Sequence, residues 1–189
     1  MKRGSSAEHS LNERQLQALW AQCKELRDQV LIGLMSYCGL RVGEAIHFRA
    51  SWLKEEGIHI PSQAPCRCQE CARRGYWQPK SKAGVRVVAI PGFLKPILLK
   101  YLTQFPEGLK ITRQAAWYRV QGLAAAAKLP HIFPHALRAS TATLLASKGF
   151  TAVELCAYMG WTRIAMGDHY VRMAEARAGA RDKIKQIWG

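Results

Sequence analysis

Apolar residues recur at helical spacing along most of this chain, and the pattern breaks only once, in a middle block from Trp52 to Ile90. Leu16, Leu19, Trp20 and Cys23 share one helical face, as do Leu31, Leu34, Met35 and Cys38. Gly39 is placed to stop that second helix in a left-handed conformation. Arg41 then occupies a tight link before a short helix, Val42 to Phe48. Helical spacing resumes at Leu94, Ile97, Leu98, Tyr101 and Leu102. Further helices are predicted over 111–129, stopped by Pro130, and over 135–148, ended by Gly149. Thr151 caps another that reaches Tyr158 or Met159 before Gly160. The spacing then predicts two more, over 163–172 and 174–187.

The middle block reads differently. Gly57-Ile58-His59-Ile60-Pro61, Tyr76 to Lys80 and Val85 to Ile90 are short extended runs, with Lys80 to Gly84 as the turn between the last two. A cysteine-rich insert forms a loop between the first and second runs. With 189 residues the chain can bury a single good core. The expected fold is α+β and mainly α-helical: a single domain with a small three-stranded antiparallel sheet. Residues 1–11 are expected to be a flexible start and 12–173 the domain, with its insert at 61–75. Residues 174–189 are expected to form a C-terminal helix.

Charge narrows the function. Lys and Arg total 28 against 13 Asp and Glu, a net charge of +15, and such an excess attracts polyanions, most often nucleic acid. No apolar run approaches the roughly 20 residues needed to cross a bilayer, and residues 1–10 lack the apolar stretch of a secretory signal. The expected location is the cytoplasm, beside the nucleoid, or a host cell's interior if the protein is viral. The six cysteines are therefore not read as disulfides. Cys23, Cys38 and Cys156 fall among apolar residues and read as small core hydrophobes. Cys66, Cys68 and Cys71 cluster in a polar segment, with His59 a few residues upstream. Three thiolates and an imidazole are a ligand set for a structural zinc; plain reduced thiols are the alternative.

Three separated segments carry a coherent chemistry. Gly39-Leu40-Arg41-Val42-Gly43-Glu44 and Pro134-His135-Ala136-Leu137-Arg138 supply two guanidiniums and an imidazole, and Gly160-Trp161 to Tyr170 supplies an indole and a phenol. A phosphodiester is anionic, so a phenolate attacking it needs positioned positive charge. Arg41 and Arg138 offer forked donors for the non-bridging oxygens. His135 lies one helical turn from Arg138, on the same face, and can donate to phosphate or relay a proton. Trp161 gives an apolar wall and one N–H donor. Tyr170 is the nucleophile. Glu44, one turn after Arg41, is read as a brace for an arginine or a backbone amide.

These segments, in this order, resemble the tyrosine site-specific recombinases of the phage-integrase family over roughly residues 12–175. The resemblance implies the catalytic-core fold of DNA breaking-rejoining enzymes and double-stranded DNA as partner. It also implies a 3′-phosphotyrosyl intermediate formed without metal or ATP, so no cofactor is required for catalysis. A lysine in the turn after the second strand is implied as general acid; Lys80 is preferred and Lys82 is the alternative. The C-terminal helix, with Ile184, Ile187 and Trp188, is implied to dock on a neighbouring copy in a tetramer on synapsed DNA, the free protein being monomeric; packing on its own domain is the other reading. The family's additional N-terminal helical domain does not fit before Arg41, so the chain is read as a catalytic core or a fragment. Weaker, more salt-sensitive DNA binding is expected, with an accessory DNA-binding protein to supply the missing contacts. The expected function is a recombinase or integrase of a mobile element or virus. Alternatives are a type IB topoisomerase-like relaxing activity, a non-catalytic DNA-binding regulator, and a zinc-stabilised RNA-binding or adaptor module.

Overall fold

A computed structural model describes residues 9–188. Eight α-helices lie among them: α1 Glu13–Ala21, α2 Leu26–Ser36, α3 Val42–His47, α4 Lys95–Gln104, α5 Arg113–Ala126, α6 Pro134–Ser147, α7 Ala152–Met159 and α8 Ile164–Trp188. Four short strands, β1 Ile58–Ile60, β2 Ala64–Pro65, β3 Tyr76–Trp77 and β4 Arg86–Val88, interrupt the helices between α3 and α4. The helical periodicities of the sequence are thus realised, with ends moved by a residue or two.

The core is built around α2. Every residue from Val30 to Ser36 is buried, because α1, α3, α4, α5 and α6 all pack on it. A helix enclosed in this way needs no single apolar stripe. Its neighbours are started by local chemistry. Asn12 and Gln15 form a capping box at α1, Thr112 caps α5, and Thr151 with Glu154 caps α7. A second, smaller cluster joins Ala139, Ala142 and Ala146 of α6 to Leu155 and Met159 of α7 and Tyr170 of α8. Alanine on the facing side lets α8 come close to α6.

Three expectations are corrected. The strands form two separate antiparallel pairs, β1 with β4 and β2 with β3, instead of one three-stranded sheet. Ile58, His59 and Ile60 face Val88, Val87 and Arg86, while Ala64 and Pro65 face Trp77 and Tyr76. The cysteine insert folds back on itself and takes Tyr76–Trp77 as its own partner. Pro79, two residues after Trp77, has no N–H to extend the ladder, and Lys82–Gly84 makes a 3₁₀ turn before β4.

The expected break near Met173 is also absent, and α8 runs for 25 residues. Nothing between Arg172 and Ala178 disfavours a helix. Finally, residues 1–8 of the expected flexible start lie outside the described residues, while Leu11, also expected to be flexible, is packed. It is buried, and its amide donates to Ser140 Oγ at 2.7 Å.

Candidate active site

Arg41 is the N-cap of α3. Its Nη2 donates to the Gly160 carbonyl at 2.7 Å and its Nη1 to Glu44 Oε1 at 2.9 Å. Arg138 projects from α6 and is 2% exposed, so it must be satisfied by protein. Its Nη1 donates to the Gly39 carbonyl and its Nη2 to the Met159 carbonyl. Gly39 and Gly160 both sit at φ +63°, a left-handed conformation that glycine adopts without penalty. Each of these chain reversals turns a carbonyl onto a different guanidinium. The two glycines thereby fix where both arginines stand.

Glu44 joins them from below. It is buried and accepts from the Arg41 amide, the Arg41 side chain and Arg86, whose Nη2 lies 3.0 Å from Oε2. Burial pushes its carboxyl up, but Arg86 and Arg138 outweigh that and hold it below the usual range. Glu44 thus braces both an arginine and a backbone amide. Arg86 was not singled out in the sequence. It is a strand arginine whose Nε also donates to the Tyr158 carbonyl at 2.7 Å, and one charge between valines carries no linear signal.

One cavity of about 320 Å³ is lined by Arg41, Lys80, His135, Arg138, Trp161 and Tyr170 together. These residues come from α3, the segment after β3, α6, the α7–α8 link and α8. Trp161 stacks on Tyr170 with centroids 5.3 Å apart and planes at 12°. The Arg138 guanidinium lies 5.8 Å from the Trp161 ring centre, within cation–π range. Tyr170 is 5% exposed and belongs to the α6–α7–α8 cluster, so its ring is held by packing. Arg163, Met166, Ser81 and Thr162 complete the wall.

The electrostatics suit an anion. Burial and then Arg41 push the Arg138 guanidinium down to about 9, partly opposed by Glu44. Arg138 Nε is buried and has no hydrogen-bond partner among the described residues. Desolvation of the His135 ring, then Arg138, Arg41 and Lys80, hold its pKa below the usual imidazole range. The neutral form of the ring is thereby favoured. An anion in the cavity would relieve the crowding of positive charge.

The two lysines are separated by the geometry. Lys80 lines this cavity and the adjoining one bounded by Arg74, Trp77 and Arg113. Lys82 opens the 3₁₀ turn and lines neither.

The cysteines assemble, but with a different histidine. His47, Cys66, Cys68 and Cys71 place one ligand atom each within 4.8 Å of one another. The fourth group is His47 at the end of α3, not His59. His59 stands on β1 and pairs with Glu56 at 3.0 Å. Proximity along the chain pointed to the wrong imidazole, because α3 and the insert meet only through folding.

Residues 97–177 match the Phage integrase family. The matched stretch contains His135, Arg138, Trp161 and Tyr170, whereas Arg41 and Lys80 precede it. The chain as a whole shares the fold of solved tyrosine recombinases. The XerA recombinase superposes with a TM-score of 0.71 at 18% identity, over 100% of this chain and 67% of that one. The catalytic domain of bacteriophage HP1 integrase gives 0.64 at 18% identity, over 92% of this chain and 93% of that one. The Tn1549 transposon integrase, solved with transposon right-end DNA, gives 0.69 at 16% identity, over 100% and 68%. The chain spans 53% of the XerH recombinase structure solved in a post-cleavage complex. No curated protein matches the sequence significantly.

Proposed function

We propose that this chain is the catalytic core of a site-specific DNA recombinase, of a mobile element or virus, that cuts and rejoins strands through a 3′-phosphotyrosyl intermediate. The observation that carries the reading is the single cavity in which a phenol, an indole, an imidazole, an ammonium and two guanidiniums converge. An anion suits the ammonium and two guanidiniums, and a tyrosine beside them can act as a covalent nucleophile.

Arg41 and Arg138 bind the non-bridging oxygens of the scissile phosphate. Tyr170 Oη attacks phosphorus; the P–O5′ bond breaks and its electron pair goes to O5′. Lys80 gives its proton to O5′, and neutral His135 accepts the phenolic proton, directly or through water. One P–O bond replaces another of similar energy, so rejoining by an incoming 5′-hydroxyl reverses each transfer without ATP. Trp161 walls the phenol off from water and fixes its plane.

The partner is double-stranded DNA, bound by a chain of net charge +15, with affinity that falls steeply as salt rises. The solvated end of α8 exposes Ile184, Ile187 and Trp188, and in this reading it docks on a neighbouring copy in a synaptic tetramer. Among the described residues, no helix is long and apolar enough to cross a membrane.

The test is a suicide DNA substrate nicked just beyond the cleavage site, so that the 5′-hydroxyl fragment diffuses away. A covalent protein–DNA adduct is expected, and Tyr170→Phe should lower its yield by on the order of 10⁴-fold. Equal yields from wild type and Tyr170→Phe would end the proposal. Running supercoil relaxation beside two-site recombination separates a recombinase from a relaxing enzyme.

A further inference from the structure

The cysteine insert has little backbone pairing to hold it. Its two strands are two residues each, and the Cys66 amide adds one bond to the Gly75 carbonyl at 3.0 Å. Yet it returns Cys66, Cys68 and Cys71 to one point beneath α3, where His47 meets them. His47 Nε2 lies 3.4 Å from Cys68 Sγ and 3.5 Å from Cys71 Sγ. A tetrahedral zinc with ordinary Zn–N and Zn–S bonds would set such pairs about 3.6 Å apart. The other ring nitrogen, Nδ1, donates to the Gly43 carbonyl at 2.7 Å. That bond fixes the tautomer that leaves the Nε2 lone pair for a metal, the outer support typical of ligating histidines. Three thiolates and a neutral imidazole around a dication total one negative charge. Arg49, Arg67 and Lys110 line the adjoining hollow and can offset it.

The position of this cluster gives it a consequence for the cavity described above. His47 ends the helix that Arg41 begins. Its ring also stacks on Trp77, with centroids 5.6 Å apart and planes at 28°, and Trp77 in turn packs on Trp52 at 4.8 Å. Trp77 lies three residues before Lys80. The same imidazole therefore touches both the helix that starts at Arg41 and the strand that leads to Lys80.

We propose that His47, Cys66, Cys68 and Cys71 bind one zinc ion, which clamps the insert to α3 and so sets the position of Lys80 in the cavity. The second half rests on the recombinase reading; the first does not. The metal takes no part in bond breaking. It supplies folding energy to a segment with little backbone pairing of its own.

Metal content is measured first, on full-length protein purified without chelator or immobilised metal. One zinc per chain is expected, falling at least tenfold in His47→Ala and in Cys68→Ser. Cobalt(II) exchanged into wild type should show thiolate-to-metal charge transfer and the visible bands of a tetrahedral site. Folded wild-type protein that takes up neither zinc nor cobalt overturns the site, whatever its activity.

Lys80 placement is then read by comparing an ordinary phosphodiester with one whose leaving 5′-oxygen is replaced by sulfur, which needs no general acid. Stripping zinc, with circular dichroism confirming the fold, should slow the ordinary substrate by about tenfold or more and the sulfur substrate by less than about twofold. Equal slowing of both overturns the clamp. If wild type loaded with zinc cleaves neither, the recombinase reading fails and the metal site stands.

Discussion

Arg138 and Lys80 line the same cavity on very different footings. Arg138 rises from the second turn of a 14-residue helix packed across α2, with carbonyls from two glycine-associated turns on its guanidinium and Glu44 beneath. Lys80 follows a two-residue strand at the edge of the insert and is exposed. The first is fixed by the core itself, and the second by whatever holds the insert. A group that binds phosphate through the whole reaction benefits from rigidity. A proton donor needed only as the bond breaks can stand on a segment that moves. In the proposed reaction, the cavity thus joins a rigid anion site to an adjustable acid.

The contrast has measurable consequences. Glu44→Gln tests the rigid side, because it leaves Arg41, Arg86 and Arg138 without their shared counter-charge in a buried setting. A loss of about 3–5 kcal/mol is expected, seen as a fall in Tm of roughly 10 °C. An unchanged Tm would mean that the arginines are held by the glycine-turn carbonyls alone.

On the other side, Lys80→Ala should leave Tm unaltered and slow single-turnover cleavage by roughly 100-fold, with recovery on a 5′-sulfur leaving group. Lys82→Ala should fall within about twofold of wild type. The opposite order would transfer the acid role to Lys82 and break the comparison at its adjustable end.

The smallest effect concerns His135. Its folded pKa lies below the unfolded value, so the unfolded chain binds the extra proton more readily. Stability from this group is present above the usual imidazole range and is lost as pH falls through it. His135→Gln should flatten that part of a Tm-against-pH curve; an unchanged slope would assign it elsewhere.

The same division governs what could be read from the sequence. The helices were legible because their apolar spacing and caps are local: Thr151 with Glu154 starts α7, and Gly160 ends it in a left-handed turn. The cavity residues on those helices were therefore identifiable from motif spacing, and they do line one cavity. The middle block was misread where pairing depends on distant partners. Tyr76–Trp77 pairs with Ala64–Pro65, against the expected pairing with the Val85 run. His47 and Arg86 were invisible for the same reason. Their partners, Cys68 and Glu44, lie 21 and 42 residues away, and nothing linear links them.

The central claim is that the six side chains around this cavity serve one covalent event at Tyr170. The most direct measurement is to trap the adduct on suicide DNA, digest both protein and DNA, and locate the attached nucleotide by mass spectrometry. The expected result is a 3′-phosphonucleotide on the peptide containing Tyr170, and on no other peptide. Attachment at Tyr158 or any other residue, or a cleaved DNA carrying no protein, would contradict it.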